Sequence, residues 1–243
     1  MQLAQESLGI AVTLWAELAR ASNAAGDEII LRKREEIYEI RYNGLELMTN
    51  VNHQSEEILA ERSLRLHGNA ARKVLIGGLG MGFTLKAMLN QLEAEAEVVV
   101  CELVPEIVDW NRDHFGHLAG HPLCDPRVTL RIGDVMDTLR NDRDTYDIIL
   151  MDTDNGPDFT VRTSNDTIYQ NAGVETVKRA LAPAGVASFW SATLSPKFES
   201  ELNKIAWHWR RDKVQLTGGR ADAFHAIYFA SPNAAKFSVL TAG

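Results

Sequence analysis

Short apolar segments alternate with segments of helical spacing from residue 72 onward, and this alternation constrains the fold more than any other feature. The apolar segments have the length and composition of buried strands; they are 74–76, 98–100, 128–132, 146–151 and 186–190. The segments between them carry apolar residues at helical intervals, near 84–92, 135–140 and 167–181. Strands that alternate with helices predict a parallel sheet covered on both faces.

The end of the chain departs from this alternation. After a predicted helix near 197–208, the apolar segments 213–217 and 225–230 are separated by a short turn at Gly218-Gly219-Arg220. A connection this short cannot hold a crossover helix, so the two strands should pair antiparallel. The predicted fold class is α/β: a doubly wound, Rossmann-like, mostly parallel seven-stranded sheet with an antiparallel last strand.

Residues 1–68 are predicted to form a separate region before this sheet domain, which covers 69–243. The region is expected to begin with an amphipathic helix; its buried contacts would include Leu3, Leu14, Trp15 and Leu18. Residues 28–48 alternate like strands, and Asn43-Gly44 between two runs predicts a hairpin turn. The spacing over 56–66 predicts a helix that leads into the domain.

A glycine-rich loop follows the first strand of the predicted sheet. Gly78, Gly80 and Gly82 come directly after the buried strand, so the backbone can turn sharply and no side chain separates it from a ligand. The third glycine of the dinucleotide-binding pattern would fall on Phe83, which disfavours a dinucleotide. The loop therefore predicts a nucleoside-type site.

Acidic residues follow three of the predicted strands. Glu102 is placed to accept hydrogen bonds from ribose hydroxyls, and Asp134, after Gly133, from an exocyclic amine of adenine, although Asp134 can also cap the next helix. The strand ending at Met151 delivers Asp152 and Asp154 to the same edge. This edge is where open α/β sheets bind ligands.

Charge favours a small cationic ligand. The formal charge of the 243 residues is −8, and residues 134–158 alone hold eight Asp and two Arg. Nucleic acids and anionic membranes need clustered positive charge, so neither is an expected partner. The two cysteines, Cys101 and Cys124, form no Cys-x-x-Cys pair, and with no basic leader at the start of the chain the expected location is cytoplasmic.

Taken in this order, the glycine loop, Glu102, Gly133-Asp134 and Asp152 resemble the spermidine synthase (polyamine aminopropyltransferase) family. That family has the class I S-adenosylmethionine-dependent methyltransferase fold. The resemblance covers about residues 36–192 and extends to the hairpin before the sheet. It implies a transferase that uses S-adenosylmethionine or decarboxylated S-adenosylmethionine as co-substrate, with an amine substrate and no metal. The hairpin and the N-terminal helix could form the surface of a homodimer, but the sequence does not fix the oligomeric state.

The resemblance also assigns roles to individual residues. Asp152 would deprotonate or orient the attacking amine, and Tyr169 would help or gate it, although a helical Tyr is more often a core residue. The residues implied to bind the nucleoside are Gly78, Gly80, Met81, Gly82, Glu102, Leu103, Gly133, Asp134, Val135 and Asp152. The residues implied to bind the amine are Gln54, Glu56, Glu57, Asp154 and Asn155.

The sequence departs from the family at the end that holds the amine. The family has an acid where this chain has Met81, which removes a carboxylate that would repel the carboxylate of intact S-adenosylmethionine. Leu47 replaces a family Gln, and Ser55-Glu56 align near a Tyr-His pair of the amine pocket. The nucleoside half of the resemblance is therefore kept, while the diamine pocket is rebuilt.

Several alternatives remain open from the sequence. The leading hypothesis is transfer of an alkyl group, most simply aminopropyl, to an amine. Methyl transfer is the second hypothesis, although Ile76 replaces the acid that methyltransferases usually carry at the end of the first strand. Cyclisation of the co-substrate's own side chain and non-catalytic nucleoside binding are the others. A metal site at His114, His117, His121 and Cys124 is disfavoured, because Gly116, Gly120 and Pro122 interrupt the segment.

Overall fold

The computed structural model describes residues 13–23, 26–158, 160, 163–216 and 223–238. The chain divides into two compact units, residues 1–49 and 50–243. Within the described residues, no helix has both the length and the apolar character needed to cross a membrane.

The first unit is an antiparallel sheet of four strands in chain order. The strands are β1 (Ala16–Ser22), β2 (Glu28–Arg34), β3 (Ile37–Tyr42) and β4 (Leu45–Thr49). The predicted turn is confirmed: Asn43 and Gly44 join β3 to β4 with φ of 47° and 78°. Positive φ at both positions gives the turn a twist that matches the flanking strands.

The predicted N-terminal helix is wrong where it can be compared. Residues 16–22 form β1, which pairs with β2, and Leu14 and Leu18 are 79% and 39% exposed. Trp15 lies under the guanidinium groups of Arg32 and Arg34 instead of in a helical core. Hydrogen bonding to the edge of a sheet has overridden the helical spacing of the apolar residues. Leu3 lies outside the described residues.

The second unit contains the seven-stranded sheet. Its strands are β5 (Lys73–Gly77), β6 (Glu97–Glu102), β7 (Val128–Ile132), β8 (Tyr146–Met151), β9 (Leu181–Ser191), β10 (His208–Gln215) and β11 (Phe224–Ser231). The order is β10-β11-β9-β8-β5-β6-β7, with β11 antiparallel to both neighbours and the other pairs parallel. The predicted fold class is confirmed; the turn at 218–220 lies outside the described residues.

In the described part of the chain, six α-helices accompany this sheet. They are α1 (Gln54–His67), α2 (Phe83–Leu89), α3 (Pro105–Trp110), α4 (Val135–Asn141), α5 (Asn171–Ala180) and α6 (Pro196–Asn203). The shorter turns are a π-helical turn, Asn111–Phe115, and the 3₁₀ turns Gly116–Ala119, Pro122–Cys124, Thr163–Tyr169 and Ala234–Phe237.

One predicted helix is shorter in the structure, and another belongs to the second unit. The helix expected near 197–208 ends at Asn203, since His208 begins β10 and Trp207 is buried before it. Helix α1 packs against α2, β8 and β9 and therefore lies with the second unit. The domain boundary predicted after residue 68 stays a prediction, while the compact units of the structure divide after residue 49.

The order of the strands creates a crevice at one edge of the sheet. Strand β5 lies between β8 and β6. The connection after β5 leads to β6 on one side of it, and the chain later returns to β8 on its other side. The connections that follow these strands separate at this point, which opens a crevice beyond their carboxyl ends. The glycine loop and the acids at the ends of β6 and β8 meet at this crevice.

Candidate active site

The glycine loop turns sharply at the end of β5. Gly78 and Gly82 have φ of 93° and 88°, a region in which a Cβ is strained. A Cβ on Gly78 would lie 2.0 Å from the backbone oxygen of Asp152, and the N–H of Asp152 donates to the Gly77 carbonyl at 2.8 Å. The loop and the end of β8 are therefore in direct backbone contact.

Glu102 connects the end of β6 to this loop. Its side chain is buried; Oε2 accepts from the Leu79 N–H at 2.9 Å, and Oε1 accepts from the Val104 N–H at 2.8 Å. Burial raises the pKa of Glu102, and these backbone donors oppose the rise. The backbone N–H groups of Gly80 and Leu103 also stabilise its charge, so Glu102 holds the glycine loop against the end of β6.

Asp134 lies at the end of β7 and caps α4. Its Oδ1 accepts from the Met136 N–H at 2.8 Å, which confirms the capping geometry considered from the sequence. The preceding Gly133 donates its N–H to the Glu102 carbonyl at 2.8 Å. Val135 approaches the start of the glycine loop, 3.1 Å from where a Cβ on Gly77 would lie, and Leu103 is half-buried. A nucleoside role for these residues stays a prediction.

Asp152 follows β8 and faces the first turn of α2. Thr84 Oγ1 donates to Asp152 Oδ2 at 2.6 Å. Burial raises the pKa of Asp152 to about 6, and the Thr84 hydrogen bond opposes the rise. At neutral pH this carboxylate is mostly ionised but close enough to its pKa to exchange a proton.

Glu56 is the second carboxylate of the site. It lies in the first turn of α1 and is 8% exposed. Burial raises its pKa to about 7, and the negative charge of Asp152 contributes to the rise. The charge on one carboxylate therefore affects protonation of the other near neutral pH.

Ser55 connects Glu56 to two residues far along the chain. Its hydroxyl lies 2.5 Å from Glu56 Oε2, accepts from Trp190 Nε1 at 3.0 Å, and lies 2.8 Å from Nδ1 of His225. Neither a motif nor a periodicity marks Trp190 and His225, so the sequence did not predict this cluster. Thr84 was missed too, although its place just after the glycine loop was a usable signal.

Glu56 is expected to make the stability of the protein depend on pH. Since its pKa is higher in the folded chain, its contribution to stability falls as pH rises from about 4.5 to about 7, by about 3 kcal/mol. Replacing Glu56 by Gln should remove this part of the slope in urea unfolding measured from pH 5 to 8. Glu61→Gln, at an exposed position on the same helix, is the control and should leave the slope unchanged. Parallel curves for wild type and Glu56→Gln would contradict the assignment.

The segment after Asp152 is held by its own hydrogen bonds. Asp154 is buried; Oδ1 accepts from the Asn155 N–H and Oδ2 from Asn165 Nδ2, both at 2.8 Å. Tyr169 is buried, with its hydroxyl 3.5 Å from Thr153 Oγ1, and burial raises its pKa. The structure thus brings Tyr169 to the loop, whereas amine binding by Asp154 or Asn155 stays a prediction.

Two predicted amine-binding residues are more exposed than Glu56. Gln54 is exposed, and Glu57 pairs with His53, whose Nε2 lies 3.4 Å from Glu57 Oε1. The His53 ring stacks on Phe83 with ring centroids 4.0 Å apart. Across the part of the chain that the structure describes, no group of three or more His, Cys, Asp or Glu residues could hold a metal ion.

Comparisons with known proteins point to one family. The model of the spermine/spermidine synthase domain matches residues 52–204. Spermidine synthase 1 of Pisum sativum is 32% identical over 118 residues, 47% of this chain and 33% of that protein. Putrescine N-methyltransferase 2 of Nicotiana attenuata is 34% identical over 116 residues, 47% of this chain and 29% of that protein.

Solved structures agree on the fold. The crystal structure of spermidine synthase from Thermotoga maritima superposes with a TM-score of 0.73 at 19% identity, over 89% of this chain and 73% of that one. The segments matched in the two plant proteins span only about a third of their length.

Proposed function

Since the chain belongs to the spermine/spermidine synthase family, we propose that it binds S-adenosylmethionine or its decarboxylated form and transfers an alkyl group, most simply aminopropyl, to an amine. The observation that carries the proposal is the carboxylate pair Asp152 and Glu56 beside the bare glycine loop. A buried acidic pair with raised pKa values suits a step in which an amine binds as a cation and then loses a proton.

The nucleoside half of the site fits such a co-substrate. Glu102 is a buried carboxylate at the end of β6, in contact with the glycine loop, and an acid at this place in the fold suits ribose hydroxyls. The loop turns sharply at Gly78 and Gly82, and a sharp glycine turn after the first strand suits close approach of a nucleoside to the backbone. Asp134 keeps one carboxylate oxygen besides the one used for capping, which supports a contact with the adenine amino group.

The chemistry requires only alignment and proton transfer from the protein. The bound sulfonium supplies a carbon that is electrophilic because it is attached to positively charged sulfur. An amine attacks only when its lone pair is free, so Asp152 acts by accepting its proton and orienting it. One C–N bond forms, one C–S bond breaks, and one proton leaves the amine.

Product analysis tests this function. The protein is incubated with each sulfonium compound, with and without a diamine, and the thionucleoside is identified by mass. Methylthioadenosine formed only with the amine supports aminopropyl transfer, whereas methylthioadenosine formed without amine indicates cyclisation. If calorimetry shows that neither compound binds, the proposal is contradicted.

Methyl transfer from intact S-adenosylmethionine is the second candidate, and one residue favours it. Met81 is fully buried in the glycine loop, at the position where the family carries an acid. A neutral side chain there does not repel a ligand that keeps its carboxylate. The similarity to a putrescine N-methyltransferase supports the same candidate, and S-adenosylhomocysteine as product would establish it.

Met81→Asp is expected to change the choice between the two co-substrates. A carboxylate in the loop should weaken binding of intact S-adenosylmethionine relative to the decarboxylated form by about tenfold, equivalent to about 1.4 kcal/mol. Calorimetric dissociation constants for both compounds measure the ratio. Met81→Asn is the matched control, because it introduces a polar group of the same shape without the charge. An unchanged ratio in Met81→Asp would show that residue 81 does not select the co-substrate.

A further inference from the structure

The Ser55 hydroxyl has three polar neighbours, and their donors and acceptors can be counted. Ser55 is fully buried, and its Oγ lies within 3.0 Å of Glu56 Oε2, His225 Nδ1 and Trp190 Nε1. An indole N–H can only donate, so Trp190 occupies one lone pair of the hydroxyl. One proton and one lone pair remain for Glu56 and His225.

Two arrangements satisfy this count, and they have opposite directions. When Glu56 is ionised, Ser55 donates to its carboxylate and His225 donates from Nδ1 to Ser55. When Glu56 is protonated, its carboxyl group donates to Ser55, and Ser55 donates to an unprotonated Nδ1, which leaves the ring proton on Nε2. Going from the second arrangement to the first moves one proton equivalent along the chain of hydrogen bonds.

We infer that Glu56, Ser55 and His225 form a proton relay, which takes the proton lost by the attacking amine at Asp152 and releases it to solvent at the His225 ring. The relay depends on the proposed function, since the amine is the source of the proton. Its two ends are suitably placed: Glu56 is buried beside Asp152, whereas His225, on β11, is partly exposed.

Each transfer in the relay conserves protons. Asp152 accepts the amine proton and passes it to Glu56. Glu56 gives this proton to Ser55 while the original hydroxyl proton moves to Nδ1 of His225. The Nε2 proton, on the other side of the ring, then leaves to water. Rotation of the hydroxyl and a change of tautomer restore the starting arrangement, and no oxidant or reductant is needed.

The charged groups around the relay support these directions. Asp152 and Glu57 both act on Glu56 through their negative charges and raise its pKa. Burial lowers the pKa of His225 to about 4, so the ring is neutral near pH 7 and carries one proton. The Trp190 ring packs edge-on against His225, with centroids 4.7 Å apart. On the neighbouring strand, the Lys213 ammonium lies over the ring of Phe224.

The tautomer of His225 tests the relay without any substrate. Nitrogen-15 NMR of the full chain with labelled histidine reports which ring nitrogen is protonated, and the His225→Asn variant identifies the signals. We expect the proton on Nδ1 at about pH 8.5 and on Nε2 at about pH 5.5, with a change near the pKa of Glu56 of about 7. In Glu56→Gln the tautomer should not depend on pH. A tautomer that is constant in wild type, or a change that persists in Glu56→Gln, overturns the relay.

Turnover supplies a second measurement. His225→Asn keeps a group that can hydrogen-bond to Ser55 but cannot pass a proton, so kcat should fall about tenfold while nucleoside affinity stays within about twofold. Added imidazole should restore part of kcat, which a purely structural role would not allow. His208→Asn, at an exposed position on β10, is the matched control and should behave as wild type. Unchanged kcat in His225→Asn, or a loss that imidazole does not restore, counts against the relay.

Failure of the relay and failure of the proposed function give different results. Wild-type protein that binds neither sulfonium compound contradicts the function, and the NMR measurement still decides the hydrogen-bond directions. If the wild-type protein turns over normally but the His225 tautomer does not change with pH, the relay alone is contradicted.

Discussion

Asp152→Asn is expected to lower kcat by about 10²–10⁴ while nucleoside affinity stays within about twofold of wild type. The amide has the shape of the carboxylate, and its oxygen can still accept from Thr84 Oγ1, which lies 2.6 Å from the carboxylate in the wild-type protein. It cannot take a proton from an amine. Calorimetry measures the affinity, and release of the thionucleoside measures kcat.

Thr84→Val provides the comparison for this variant. It removes the hydrogen bond that lowers the pKa of Asp152 but keeps the carboxylate. We therefore expect a loss of kcat below about tenfold, with the acidic limb of the pH–rate profile moved upward from about 6. Wild-type kcat in Asp152→Asn, or lost nucleoside binding with normal turnover of the ligand that still binds, would refute the role of Asp152.

The sheet and the glycine loop were predictable because their signals are local. Apolar runs such as 146–151 identify buried strands without reference to the rest of the chain, and Asn43-Gly44 specifies its own turn. Strand β1 was not predictable in this way. Its side chains are mostly exposed, so its sequence lacks the apolar alternation that would predict a strand. The strand forms because it pairs with β2.

The candidate site also has a part that the sequence predicts and a part that depends on tertiary packing. Glu102 and Asp152 follow strands, so topology alone brings them to one edge of the sheet. The cluster around Ser55 depends on tertiary packing, since 135 positions separate Ser55 from Trp190 and 170 separate it from His225. Packing of α1 against β9 and β11 brings these side chains together. The burial that raises the pKa of Glu56 has the same origin.

Gly78→Ala is expected to destabilise the protein by about 3 kcal/mol and to abolish nucleoside binding. The added Cβ would lie 2.0 Å from the backbone oxygen of Asp152, at a φ of 93° that already strains an L residue. Neither side can move away easily, because the Asp152 N–H donates to the Gly77 carbonyl at 2.8 Å where β5 pairs with β8. Relief of the clash must therefore separate the loop from the end of β8, which carries Asp152.

Gly120→Ala distinguishes the cost of a left-handed backbone conformation from the cost of the clash with Asp152. Gly120 has a similar φ of 71°, but nothing lies within 4 Å of the position of its Cβ. Its cost should be only the left-handed conformation, about 1 kcal/mol, with nucleoside affinity unchanged. Urea unfolding and calorimetry on both variants measure the difference. Equal losses of stability, or normal binding in Gly78→Ala, would mean that the backbone contact between the loop and β8 does not hold the site together. A larger loss in Gly78→Ala, with binding lost only there, ties nucleoside binding to that contact.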